Sequence, residues 1–114
     1  MTFNQAGTIE PGGAGTVGTL TITGPVNFLG TSVVNIDWVS SGSYDILAIS
    51  GAATLNGEIH TNFVNTAILT TYNPITWGSR SGTFATVTGG GLLGSLNLGS
   101  PTYNALNLLL TVII

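Results

Sequence analysis

The sequence predicts an all-β fold and, within it, a parallel β-solenoid (β-helix) of about four coils. Three observations carry this. Apolar and β-branched residues alternate with polar ones at a period of two, and no window sets apolar residues at helical spacing among helix formers. Gly, Pro and Asn break the alternation into short runs. Leu20, Ile22, Gly24, Val26, Phe28 and Gly30 recur as Leu47, Ile49, Gly51, Ala53, Leu55 and Gly57, a shift of 27 residues. The alternative is a β-sandwich, which also spaces short strands regularly.

The strands are expected in order. Leu20 and Ile22 share a face in Thr19–Thr23, and Val26 and Phe28 follow Pro25. Val34, Ile36 and Trp38 share a face in Ser32–Val39, as do Leu47 and Ile49 in Tyr44–Ile49. Ala53 and Leu55 precede the turn signal Asn56-Gly57, and Ile59, Thr61 and Phe63 follow it. Ile68–Tyr72 and Ile75–Trp77 flank Asn73-Pro74, and Phe84 sits in Gly82–Val87. Gly89-Gly90-Gly91 reads as a flexible turn, Leu92–Leu98 as another strand, and Leu106–Ile114 as the last. The 27-residue shift also sets Ser32 on Ile59 and Ile36 on Phe63. All 114 residues make one domain, with an N-terminal segment 1–18, core coils 19–88 and C-terminal strands 92–114.

Pro11-Gly12-Gly13-Ala14-Gly15 followed by Gly18-Thr19-Leu20-Thr21-Ile22-Thr23-Gly24 resembles a segment of bacterial autotransporter passenger domains. Tyr44-Asp45-Ile46-Leu47-Ala48-Ile49-Ser50-Gly51, Ala53-Thr54-Leu55-Asn56-Gly57 and Ser81-Gly82-Thr83-Phe84 are similar to later parts of that module. So is Tyr103 followed by Leu108-Leu109-Leu110-Thr111-Val112. The resemblance implies a right-handed parallel β-helix end module on a secreted surface protein.

Four acids and one arginine, with no lysine, leave 4% of the residues charged and a formal net charge of −3. An average domain carries about 25%. Nothing here neutralises phosphate, so nucleic acid is excluded as a partner, and with it a polybasic membrane anchor. With 43% apolar residues, charge-driven disorder is excluded too. The absence of cysteine removes disulfides, thiolate metal sites and a cysteine nucleophile. No run reaches the ~18 apolar residues of a spanning helix, and Met1 to Gly7 lacks the basic and apolar regions of a secretory signal.

Candidate chemistry is sparse. Asp37 and Asp45 approach across Ser40-Ser41-Gly42-Ser43, beside Trp38 and Tyr44, as paired carboxylates and aromatic subsites of a glycosidase would. The plainer expectation is that Asp45 caps a turn through backbone N–H groups. Glu58 and His60 share a strand face, as an acid–base pair or two metal ligands would, although a stable metal site wants three or four. Gly89-Gly90-Gly91 lacks the lysine and helix of a phosphate loop. Arg80 is the lone cation, expected to pair with an acid or to extend from a loop. Trp38, Tyr44, Tyr72 and Trp77 would stack sugars if exposed and build the core if not. No catalytic residue, cofactor or metal is therefore expected, and the chain is not expected to be an enzyme.

Layers stack at about 4.8 Å, so a short solenoid has two large rims that natural solenoids cover. The last strand carries no charge and no proline, and both of its faces are apolar. It is expected to be buried on both sides or added to a neighbour's sheet. Leu106, Leu108, Leu109, Leu110, Val112, Ile113 and Ile114 are thus the expected self-association residues. The expected function is structural: a subunit of an extracellular filament or surface layer, built by end-to-end stacking or strand donation, whose partner is itself. The alternative is a monomeric adhesin or passenger module at the bacterial cell surface that binds glycans or host surfaces.

Overall fold

The computed structural model describes residues 3–13, 16–65, 69–92 and 95–114, with Phe3 described through its backbone alone. Among these residues the chain winds through short strands and forms no helix. β1 (Phe3–Gln5), β2 (Thr8–Ile9) and β3 (Thr19–Ile22) are the three sides of a first turn. β4 (Val26–Phe28) and β5 (Val33–Ser40) start the second; β6 (Ser43–Tyr44) folds back on β5 as a hairpin, and β7 (Ile46–Ile49) closes the turn. β8 (Ala52–Leu55), β9 (Glu58–Phe63) and β10 (Thr71–Thr76) are the third turn, and β11 (Ser79–Gly82) and β12 (Thr86–Gly90) begin a fourth.

The third side of that fourth turn comes from elsewhere. The two-residue strands β13 (Asn97–Leu98) and β14 (Thr102–Tyr103) intervene, and β15 (Asn107–Ile113) then returns antiparallel on β10. The solenoid therefore has three complete turns and two sides of a fourth, fewer than the four coils expected. Its faces are the sheets β1-β4-β8-β11, β2-β5-β9-β12 and β3-β7-β10-β15. Strands of successive turns pair in parallel, which a sandwich of hairpins would not do. The expected lead-in, residues 1–18, already supplies two sides of the first turn through β1 and β2.

The 27-residue repeat holds where the corners keep their length. Leu20 lies beside Leu47 and Val26 beside Ala53. On the second face it breaks: Val34, not Ser32, faces Ile59, and Trp38, not Ile36, faces Phe63. The corner from β4 to β5 spans Leu29 to Ser32, whereas that from β8 to β9 is only Asn56-Gly57. The shorter corner demands glycine. Gly57 has φ of 75°, and a Cβ there would lie 2.4 Å from the Ser32 carbonyl oxygen. Asn56-Gly57 is thus a solenoid corner, not a hairpin turn, because β8 and β9 belong to different sheets.

Inward side chains stack in columns through the turns. Leu20, Leu47, Ile75 and Leu108 form one, and Ile9, Val34, Ile59 and Val87 another. Trp38 packs on Phe63 at 5.5 Å between ring centroids, Phe63 on Tyr72 at 6.1 Å, and Phe28 on Phe84 at 5.7 Å. Phe84 does this from the corner between β11 and β12, not from within a strand.

Two punctuation residues lie inside strands. β10 runs through Asn73-Pro74 because its pairing with β15 shifts register between Tyr72 and Ile75, so proline falls where no ladder N–H is required. Gly89 and Gly90 belong to β12, facing Thr61 and Asn62; only Gly91, at φ 86°, makes the turn. Ile68, at the start of one expected strand, and Leu93-Gly94, within another, lie outside the described residues. Of the expected strand Leu92–Leu98, Asn97–Leu98 is strand.

Candidate functional site

The acids come first. The β5–β6 hairpin does bring Asp37 and Asp45 together. Asp45 is fully buried and both of its oxygens are engaged: Oδ1 accepts the Gly18 N–H at 2.8 Å and Oδ2 accepts the Asp37 N–H at 2.8 Å. Burial pushes its pKa above the ordinary carboxylate range, against the pull of those two bonds and with help from the nearby charges of Asp37 and Glu10. Asp37 is also buried and accepts from Asn62 Nδ2 at 3.2 Å. The Asp45 carboxylate ties the end of the first turn to the hairpin of the second and caps backbone N–H groups as expected. Trp38, Tyr72 and Trp77 are core residues and Tyr44 is half-buried, its hydroxyl accepting the Asn73 N–H. They offer no sugar-stacking platform.

Glu58 and His60 lie on the outer face of β9, with Ile59, Thr61 and Phe63 inward, as the alternation requires. Thr88, next to His60 on β12, joins them: its hydroxyl donates to Glu58 Oε2 and lies 2.7 Å from His60 Nδ1. A carboxylate only accepts, so the threonine proton goes to Glu58 and the His60 Nδ1–H donates to Thr88. Among the described residues no three His, Cys, Asp or Glu side chains converge as metal ligands, and no ligand-sized cleft opens.

The remaining features lie at the rims. Arg80 occupies the inward position of the fourth turn, in the row of Val26 and Ala53. Instead of entering the core it bends over it, with its guanidinium 5.0 Å from the Tyr103 ring and donating to the Gly82 carbonyl at 2.6 Å. Neither an acid nor a free loop holds it. Leu92, Leu96 and Leu98 close over the same end, and Gly89, inward in the row of Thr61, leaves room for Leu92 and Leu98. A charge pointing inward and very short outer strands blunt a sheet edge.

The predicted self-association strand is split by this arrangement. Leu108, Leu110 and Val112 are buried in the chain's own core. Leu109 is half-buried, whereas Leu106, Ile113 and Ile114 are exposed. β15 is paired on both sides, by β10 and by β13 and β14. Its apolar second face is not an unpaired edge, because β13 and β14 cover that edge within the same molecule.

The first-turn rim is different. Pro11 is buried beside Ile9, and Gln5 turns its side chain onto the Gly7 carbonyl, at 2.6 Å. Leu20 stands at the end of a column whose other three members are fully buried and is itself 39% exposed; among the described residues β3 pairs with β7 alone. Sequence reasoning passed over Leu20 because it scored well as a repeat position.

The fold is a β-solenoid whose fourth-turn end is covered by the chain's own Arg80, Tyr103, β13 and β14. Compared with family models, curated proteins and solved structures, the chain matches none at a significant level.

Proposed function

We propose that this chain is a structural subunit of an extracellular or bacterial-surface assembly, filament or layer, that works by joining copies through a solenoid rim. The observation that carries this is Leu20, 39% exposed on β3, which among the described residues pairs with β7 alone. Two others support it. A surface of 5367 Å² carries the charges of Glu10, Glu58 and Arg80, with Asp37 and Asp45 buried, so copies repel one another weakly. The most buried acid, Asp45, spends both oxygens on backbone N–H groups, a structural use. Of the two assembly routes, rim contact fits the geometry better than donation of the last strand, which would pull Leu108, Leu110 and Val112 out of their own core.

A second function, an adhesin or passenger module, is favoured by the uncharged row Asn4, Asn27, Thr54 and Ser81 along the outside of the first face. Electron microscopy of the purified chain, beside a glycan array, separates the two. Ordered oligomers with no glycan bound are expected. Dispersed monomers at every concentration, with selective glycan binding, would replace the first function with the second.

A further inference from the structure

We propose that Asn56-Gly57 is a site of spontaneous covalent modification, at which the Asn56 side-chain amide is lost as ammonia and the corner between β8 and β9 becomes aspartyl or isoaspartyl. This goes beyond the assembly proposed above and does not depend on it.

The corner brings the reacting atoms together. Asn56 Oδ1 accepts the Gly57 N–H at 2.8 Å, so the side chain folds back over the following peptide. Cγ, bonded to that oxygen, is thereby held against the Gly57 nitrogen, and the same hydrogen bond polarises the Cγ carbonyl. The Gly57 N–H donates to this side chain and to no backbone carbonyl among the described residues, so no ladder bond has to break first. Gly57 brings no side chain to crowd the approach, and the corner keeps it so, since a Cβ there would lie 2.4 Å from the Ser32 carbonyl oxygen. Asn56 is exposed to water, and its Nδ2, the leaving group, has no hydrogen-bond partner among the described residues. Asparagine is thermolabile in general, but Asn56 is the one asparagine of this chain followed by glycine. Asn27, Asn35 and Asn62 lie within strands and precede the bulky Phe28, Ile36 and Phe63.

The chemistry consumes only water. The Gly57 nitrogen bonds to Asn56 Cγ, the Cγ–Nδ2 bond breaks, and the proton of that nitrogen departs with Nδ2 as ammonia. A five-membered cyclic imide remains. Water then opens the ring at one of its two carbonyl carbons. Opening at Cγ restores the backbone with aspartate in place of Asn56. Opening at the backbone carbonyl carbon leaves isoaspartate, whose chain runs through Cβ and Cγ and is one atom longer.

That extra atom falls where both neighbouring turns are bonded to the corner. The corner is two residues long. The Gly57 carbonyl accepts the N–H groups of Ala85 and Thr86 in the fourth turn, at 2.8 and 3.2 Å. The Glu58 N–H donates to the Ser32 carbonyl in the second turn, at 2.9 Å. Isoaspartate therefore shifts the anchors of two turns, whereas aspartate adds a charge to an exposed position and keeps the backbone path.

The test keeps the purified chain folded, warm and near neutral pH. Samples are taken over time for chymotryptic peptide mapping by mass spectrometry that separates aspartate from isoaspartate. Asn56 should convert first, about tenfold or more faster than any other asparagine, in material whose circular dichroism is native at the start. Asn56→Gln, whose longer side chain would have to close a six-membered ring, should not convert at this position. The isoaspartyl form should unfold at a lower urea midpoint than Asn56→Asp, which carries the new charge alone. Conversion of Asn56 no faster than that of the other asparagines, or confined to chain unfolded in urea, would overturn the site. An isoaspartyl form as stable as Asn56→Asp would overturn the part assigned to the corner.

Discussion

Asp45 is the residue on which most local structure converges. It holds two backbone N–H groups from separate turns, and its removal leaves both buried donors without a partner. Asp45→Ala should lower stability by about 2–4 kcal/mol, read as a drop in the urea midpoint with unchanged slope. Burial raises its pKa in the folded state, so the native protein holds the proton more tightly than the unfolded chain. That contribution is fully present below the ordinary value of 3.8 and is lost as pH rises through the raised value. The difference in stability between wild type and Asp45→Asn should therefore shift against the wild type as pH climbs through that window. A difference that is flat with pH would contradict the assignment. Gly57 is the second sensitive point. Gly57→Ala would force a side chain into φ of 75° and against Ser32, so a loss of about 1–3 kcal/mol in the same urea titration is expected.

At the level of elements, β15 is the keystone of the closed end. Leu108→Ala should cost about 3 kcal/mol, as a fully buried leucine does, and Leu106→Ala almost nothing, since Leu106 is 61% exposed. Had the last strand been an appendage awaiting a neighbour, the two would cost alike. Most strands were legible in the sequence because alternation is a local property. Val34, Ile36 and Trp38 are inward on β5, and Leu47 and Ile49 on β7, as their period requires. Corner lengths were less legible: losing two residues between Leu55 and Glu58 moves the register without disturbing the alternation on either side. Pro74 and Gly89-Gly90 read as breaks because turn chemistry is local, whereas the bulge that tolerates Pro74 and the leucines that fill the space over Gly89 come from distant residues. The antiparallel return of β15 left no trace for the same reason. An apolar strand reads alike whether its neighbour lies in the same chain or another.

For the whole molecule, the proposed joining of copies is a question of charge and of what the rims expose. Arg80, Tyr103, β13 and β14 close one end with the chain's own residues, while among the described residues β3 pairs with β7 alone. Association should respond weakly to salt, because Glu10, Glu58 and Arg80 are the charged residues that reach the surface. A large change in affinity between low and high salt would contradict this. The most direct measurement is the mass of the purified chain by light scattering across a hundredfold range of concentration. The expected result is a shift from 11.6 kDa when dilute to multiples of that value when concentrated. A constant 11.6 kDa throughout would contradict the joining of copies on which this account rests.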